Sequence, residues 1–167
     1  MAEIKNVPKI NEQHVDEMRK AFEHRATWMY LLMDEARRRG LDWDDFARKA
    51  IYRCGCFHGN NMKSKMNNPS DMIEFSNTFG AGAAFKIFEM EKVIANDEKY
   101  YLNFNYCPLV SAWQKQGCSP EEIAELCDIA MEGDRGIASA FKDFQFTLGK
   151  TIAQGHPVCE IRFNKKK

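Results

Sequence analysis

Apolar residues recur at three- and four-residue spacings through the first half of the chain, which is typical of amphipathic helices. Asp42 is placed to cap a second helix, although Gly55 and Gly59 weaken the later course of that helix. Ser70 is placed to cap a third helix. Over positions 11–39 the recurring apolar residues are Val15, Met18, Phe22, Met29, Leu32, Met33 and Ala36. The first half is therefore predicted to be helical.

The pattern changes near position 84, where aromatic and β-branched residues become frequent. Segments 84–94 and 99–106 predict a β-hairpin, and alternating apolar residues later in the chain predict a second one. Pro108 opens a short helix between the two hairpins, and Ser119 caps a longer helix that runs towards Ala140. The alternating residues of the second hairpin are Phe144, Phe146, Leu148, Cys159, Ile161 and Phe163.

Together these elements predict an α+β fold in which N-terminal helices pack on an antiparallel sheet of about four strands. A helical excursion separates the two β-hairpins. We expect one domain over residues 1–167, with a helical part at about 11–80 and a hairpin, helix, hairpin part at about 84–164. A chain of this length can bury about two-thirds of its unfolded surface.

Charge and cysteine content limit the classes of partner and location. The 24 basic residues balance the 24 acidic ones, so we expect no nucleic-acid partner and no membrane partner. No apolar run approaches the roughly 20 residues of a membrane span, and the start does not resemble a signal peptide. Six cysteines without a secretory signal indicate reduced thiols and a cytoplasmic location. Neutral charge and aromatic residues such as Tyr100 and Tyr101 permit a homodimer.

Asp134 interrupts an apolar stripe on the last long predicted helix. An ionised carboxylate costs several kcal/mol or more to bury unless partners meet it. Two interpretations stay open: the helix breaks at Gly133 and frees the acid to meet water or backbone N–H groups, or Asp134 is held inward for a function. The stripe consists of Ile123, Cys127, Ala130, Ile137, Ala138 and Phe141.

Cys107 ends a predicted strand immediately before the helix that Pro108 opens. A thiol at a helix N-terminus experiences the positive end of the dipole, which lowers its pKa and raises its nucleophilicity. The alternative is a small buried residue that packs against Trp113. Cys54, Cys56 and His58 have the spacing of half a zinc site, but no second pair follows, so neither a metal nor another cofactor is expected.

Three motifs in the second half of the chain resemble those of the L-2-amino-thiazoline-4-carboxylic acid hydrolase family. They are YCPLVSAW at 106–113, CDIAMEGDR at 127–135 and KTIAQGHPVCEIRF at 150–163, in this order along the chain. His156 departs from the family pattern, which has an aspartate there. A carboxylate role at that position is therefore not transferred.

The resemblance implies a hydrolase that opens a small cyclic amidine-like acid, such as 2-amino-thiazoline-4-carboxylate, to an N-carbamoyl amino acid. A carboxylate, Asp128 or Asp134, would hold the protonated amidine through two charge-assisted hydrogen bonds. Water or the Cys107 thiolate would attack the ring carbon between nitrogen and sulfur. Cys107, Asp128 and Asp134 are therefore the expected catalytic residues.

We expect a pocket between the last long helix and the sheet, with Arg135, Cys159 and Arg162 as substrate-binding residues. Either arginine, or free N–H groups at a helix start such as the one after Pro108, would bind the substrate carboxylate. Two other classes of function stay open. The same helix–sheet pocket would also suit a non-catalytic small-molecule binding or sensor domain. The motifs would otherwise be a structural signature, with Cys107 and Cys159 packed together across the sheet.

Overall fold

The computed structural model describes residues 3–167. Within these residues, four helices precede a first β-hairpin, and three more helices separate it from a second. The helices are α1 (Gln13–Arg38), α2 (Trp43–Lys63), α3 (Met72–Ser76), α4 (Ala83–Ile87), α5 (Pro108–Lys115), α6 (Pro120–Ala130) and α7 (Glu132–Ser139). The strands are β1 (Met90–Ala95), β2 (Lys99–Phe104), β3 (Phe144–Leu148) and β4 (Cys159–Lys165), with a 3₁₀ turn at Ile152–Gln154.

The four strands form one antiparallel sheet in the order β1-β2-β4-β3. Each hairpin supplies two neighbouring strands, and the pairing of β2 with β4 joins the hairpins. Leu102 lies opposite Ile161 across that junction. The segment α5 to α7 connects the hairpins, so the predicted α+β fold with a helical excursion is confirmed. None of the helices within residues 3–167 combines the length and apolarity needed to cross a membrane.

The core lies between the inner face of the sheet and the helices. Trp113 of α5 is fully buried, and its indole N–H donates to the Ala26 carbonyl at 3.2 Å, which fixes α5 on α1. Phe75 and Phe163 pack edge to face with ring centroids 4.8 Å apart. Tyr100 is also fully buried, and its hydroxyl donates to the Phe79 carbonyl at 3.0 Å. Tyr100 is therefore not a surface residue available to a homodimer, contrary to the prediction.

Two predicted element boundaries are wrong. The first hairpin strand begins at Met90 rather than at position 84, because α4 occupies part of the segment assigned to it. The third helix is capped by Asp71 rather than by Ser70. The Asp71 carboxylate accepts hydrogen bonds from the N–H groups of Ile73 and Glu74 at 2.8 and 3.0 Å, which satisfies two donors that the helix itself leaves free.

Glycines let α2 and α7 approach each other closely, so α2 continues to Lys63 instead of weakening at them. A Cβ atom on Gly55 would stand 2.0 Å from the Gly133 carbonyl oxygen, and one on Gly136 would stand 2.2 Å from the Tyr52 carbonyl oxygen. Both distances are far below van der Waals contact. We call the set formed by Gly55, Gly59, Gly133 and Gly136 the glycine interface.

The predicted long helix after Ser119 is in fact two helices. The capping box at its start is confirmed, since Ser119 and Glu122 exchange side-chain to backbone hydrogen bonds. α6 then ends at Ala130, and Met131 separates it from α7. The sequence analysis expects a break at Gly133, and the structure has it two residues earlier, at Met131.

Candidate functional site

Cys107 occupies the N-cap position of α5 and is partly buried. Burial raises the pKa of its thiol, while the backbone N–H groups of Leu109 and Val110 and the charge of Arg25 lower it. The net result is a raised pKa. The helix N-terminus does act on the sulfur as predicted, but desolvation outweighs it, so the predicted lowering of the thiol pKa is wrong.

Three thiols from different elements converge behind α5, and we call them the thiol cluster: Cys107, Cys127 of α6 and Cys159 of β4. Both Cys127 and Cys159 are buried. Cys159 Sγ accepts a hydrogen bond from the Ile152 N–H at 3.3 Å. Burial raises the pKa of Cys159 to about 12, with further contributions from the charges of Cys107 and Asp134. The charge of Cys107 raises the pKa of both Cys127 and Cys159, so the three thiols lie near one another.

Asp134 lies in the first turn of α7, beside the thiol cluster. Its side chain is partly buried, and burial raises its pKa from 3.8 to about 6 against the attraction of Arg25 and Arg135. Both arginines act on it through charge alone, without a hydrogen bond. The helix breaks as the first interpretation expects, at Met131, yet Asp134 stays partly buried; a functional role for it stays a prediction. A carboxylate with this pKa is a proton acceptor at neutral pH.

Arg25 of α1 lies beside the candidate site, although the sequence analysis gave it no role. Its positive charge lowers the pKa of both Cys107 and Asp134, so the guanidinium lies near the cluster although much of the side chain is exposed. The guanidinium also stacks over the Phe22 ring at 4.8 Å. Arg25 precedes the three motifs by some eighty positions, and only the folded chain brings it to them.

Asp128, the other predicted catalytic acid, has both oxygens occupied by arginines. Arg48 of α2 donates to one oxygen at 2.7 Å and Arg135 of α7 donates to the other at 2.6 Å. Burial opposes ionisation of Asp128, but the two arginines outweigh it and hold its pKa below the usual value. Glu132 accepts from Arg135 at 2.7 Å. We call Arg48, Asp128, Glu132 and Arg135 the arginine network, and it ties α2, α6 and α7 together.

The two predicted substrate-binding arginines already have partners. Arg135 belongs to the arginine network. Arg162 donates to the Leu102 carbonyl at 2.5 Å and to the Asn103 side chain at 2.8 Å, and its guanidinium lies 5.2 Å from the centre of the Tyr101 ring. Arg162 therefore secures the pairing of β4 with β2. Of the six predicted site residues, the structure brings Cys107, Asp134 and Cys159 together.

Cys54, Cys56 and His58 lie on α2 without a fourth ligand, and within residues 3–167 no three His, Cys, Asp or Glu side chains form a group that could hold a metal ion. One open depression of the surface lies over Arg48 and Glu132, and another lies between α7 and β3. Neither is lined by a residue of the thiol cluster.

Comparison with known proteins agrees with the motifs. The family model described as L-2-amino-thiazoline-4-carboxylic acid hydrolase matches residues 19–163. No curated protein matches the chain. Among solved structures, the chain is similar to a trafficking protein particle complex subunit 3 from Naegleria fowleri covalently bound to palmitic acid. The identity is 17%, the TM-score is 0.56, and the match covers 87% of this chain and 95% of that one. At this identity the likeness concerns the fold alone.

Proposed function

The chain belongs to the L-2-amino-thiazoline-4-carboxylic acid hydrolase family, and from this premise we propose that it hydrolyses a small cyclic amidine-like acid such as 2-amino-thiazoline-4-carboxylate. One water is consumed. Its oxygen bonds to the ring carbon between nitrogen and sulfur, the carbon–sulfur bond breaks, and the sulfur leaves as a thiol. The product is N-carbamoyl cysteine. The observation that carries the proposal is an acid with a pKa of about 6 beside the thiol cluster.

Asp134 is the residue to which we assign proton transfer. At pH 7 its carboxylate is mostly ionised, yet it is a stronger base than an ordinary aspartate by about two pKa units. It is therefore suited both to hold the protonated amidine and to accept a proton from the attacking group. Positioned acid–base groups of this kind contribute about 10²- to 10⁴-fold to rate.

The attacking group is water or the Cys107 thiol, and the two routes differ in one intermediate. If the thiol attacks, it gives its proton to Asp134, and the opened substrate stays bonded to Cys107 until water displaces it. If water attacks, Cys107 only lines the site. Full turnover by Cys107→Ala would exclude the covalent route, whereas loss of turnover with an adduct in wild type would establish it.

Arg25 is the residue to which we assign the substrate carboxylate. Its charge already reaches Cys107 and Asp134, so an anion bound to it would lie beside both groups. We assign Cys159 to the lining of the same proposed substrate site. We assign Asp128, Arg135 and Arg162 to supporting roles, because their hydrogen bonds hold α7 and the pairing of β2 with β4 in place.

The test is turnover of 2-amino-thiazoline-4-carboxylate, followed by free thiol release and by mass spectrometry of the carbamoyl product, with and without EDTA. Asp134→Asn is expected to lose about 100-fold or more in kcat/KM. Asp97→Asn, which removes an exposed turn aspartate, is the matched control and should leave turnover unchanged. Absence of turnover in wild type would contradict the proposal for this substrate.

The alternative is a non-catalytic domain that binds a small molecule in the same helix–sheet space. The raised pKa of all three clustered thiols favours it, because a neutral thiol is a poor nucleophile. The structural neighbour covalently bound to palmitic acid adds a precedent for a ligand on this fold. Thermal stabilisation by the thiazoline without any product would support this alternative and contradict the hydrolase.

We also propose that two copies of the chain pair through the outer face of α1. Trp28, Leu31 and Leu32 are 62%, 49% and 68% exposed there and share one helix face, and contiguous exposed apolar patches mark interaction sites. An antiparallel pairing centred on Trp28 would place Glu17 of one copy opposite Arg39 of the other, at both ends of the contact.

The oligomeric state of two variants tests this pairing. Trp28→Glu is expected to give a monomer by light scattering, while the wild type gives a dimer. Phe57→Glu is the matched control, because Phe57 is 64% exposed on α2, and it should remain dimeric. A monomeric wild type at micromolar concentration would contradict the pairing.

A further inference from the structure

Residues 3–12, which we call the strap, lie across the start of α5 although they precede the segment matched by the family model. The strap has no regular secondary structure, and its order comes from hydrogen bonds to other elements. Near its beginning, the Gln114 side chain donates to the Ile4 carbonyl at 3.1 Å. Ile4 also packs against the core.

The strap is fixed at its far end by a buried ion pair. Glu89 and Arg19 are both almost completely buried and lie 2.8 Å apart. The Glu89 carboxylate accepts from the N–H groups of Lys9 and Ile10 at 2.6 and 2.8 Å. Arg19 donates to the Ile10 carbonyl at 2.7 Å. Residues 9 and 10 are therefore a firm attachment point about which the earlier part of the strap could move.

Asn6 joins the strap to Cys107 through two hydrogen bonds. The Cys107 N–H donates to the Asn6 side-chain oxygen at 2.9 Å, and the Asn6 side-chain amide donates to the Cys107 carbonyl at 2.8 Å. One side chain thus bonds both backbone groups of the N-cap residue of α5. The partner of those backbone groups is 101 positions away in the sequence.

We propose that the strap covers Cys107 and that Asn6 is the positioning residue that keeps the strap closed over it. Cys107 is only partly exposed, and neither depression described above is lined by one of the three thiols. Release of Asn6 would free the strap as far as residue 9 and expose Cys107. The inference relies on the proposed function only for what the thiol does, since exposure of Cys107 is measured without turnover.

The experiment is alkylation of the native protein with iodoacetamide, with the rate at each cysteine read by mass spectrometry. Cys54 is exposed and serves as the internal reference, whereas Cys127 and Cys159 are buried and report general loosening. In Asn6→Ala we expect the Cys107 rate, relative to Cys54, to rise about tenfold. The rates at Cys127 and Cys159 should not change. Equal Cys107 rates in wild type and variant would overturn the proposal, as would a parallel rise at all three clustered thiols.

Two further variants separate the strap from a general loss of stability. Asn11→Ala removes an exposed asparagine close to the strap's end and should label like wild type. Gln114→Ala removes the bond to Ile4 without touching Cys107, and it should raise the Cys107 rate in the same direction by a smaller factor. A rise in Asn11→Ala equal to that in Asn6→Ala would contradict a specific role for Asn6.

Discussion

Two aspartates six positions apart, Asp128 and Asp134, experience opposite environments. Asp128 receives a hydrogen bond from an arginine on each oxygen, and its pKa is lowered. Asp134 has arginines near it but none bonded to it, and burial raises its pKa to about 6. The turn at Met131 separates the two, so that one acid belongs to the arginine network and the other to the thiol cluster.

From this difference we infer that Asp128 stabilises the fold and that Asp134 is available for proton transfer. An acid whose charge is satisfied by fixed partners stabilises the fold and has little affinity left for a proton. An acid that is buried without a bonded partner destabilises the fold, and such groups are concentrated at functional sites. The family motif offers Asp128 and Asp134 equally for the role of holding the amidine, and the apolar stripe marks Asp134 alone as inward-facing without showing its partners.

The largest expected effect concerns the glycine interface, which sets where α7 and hence Asp134 stand. Gly55→Ala would force its new Cβ into the Gly133 carbonyl, so we expect a loss of about 3 kcal/mol or more in the free energy of unfolding. Gly133→Ala is the matched control, because its Cβ would meet only Ile51 at 3.7 Å, and it should change stability by less than about 1 kcal/mol. Urea denaturation measures the free energy of unfolding of both variants. Equal losses would contradict the close approach of α2 and α7 at Gly55.

Asp134→Asn is expected to stabilise the protein at neutral pH. Because the folded pKa is raised, ionised Asp134 costs stability; the cost is absent near pH 4, grows as the pH rises to about 6 and is constant above it. We expect a gain on the order of 2 kcal/mol at pH 7.5 and no gain at pH 4. Urea denaturation at both pH values measures it, with Asp97→Asn as the control. A loss of stability at pH 7.5 would contradict the claim that Asp134 is buried without a bonded partner.

Asp128→Asn is expected to act in the opposite direction and more weakly. The Asp128 side chain is 46% exposed, so solvent screens its ion pairs and the loss at pH 7 should be about 1 kcal/mol. Its lowered pKa means that the contribution is present above the ordinary value of 3.8 and disappears as the pH falls through the folded pKa. The variant should therefore match wild type near pH 2. A gain in stability at neutral pH would contradict the assignment.

Much of the fold follows from local patterns. The alternation in β3 and β4 and the capping box at Ser119 are local signals, and both elements form where they were expected. The prediction that Gly55 and Gly59 weaken α2 was wrong. The sequence shows the low helix propensity of glycine, but it does not show that α7 packs too closely for a side chain at these positions. The extent of α4 was missed for a related reason: aromatic residues suit either a strand or a helix packed on a core.

The site was predictable only in part. Cys107, Asp134 and Cys159 were named from motifs, and the structure places them together. Asp128 is paired with Arg48 of α2, and Arg25 of α1 lies near Cys107 and Asp134. Both contacts join elements that are distant in the sequence, so no local pattern predicts them. The sign of the Cys107 pKa shift depended on burial, and burial is a property of the packed molecule.

The most direct test of the account is kcat/KM for 2-amino-thiazoline-4-carboxylate as a function of pH, in wild type and Asp134→Asn. The account predicts that the wild-type value rises about tenfold per pH unit below pH 6 and levels above it. Asp134→Asn should lie about 100-fold lower without that inflection. Titration of the substrate is common to both proteins and cancels in their ratio. A variant whose profile coincides with that of wild type would contradict the central role of Asp134.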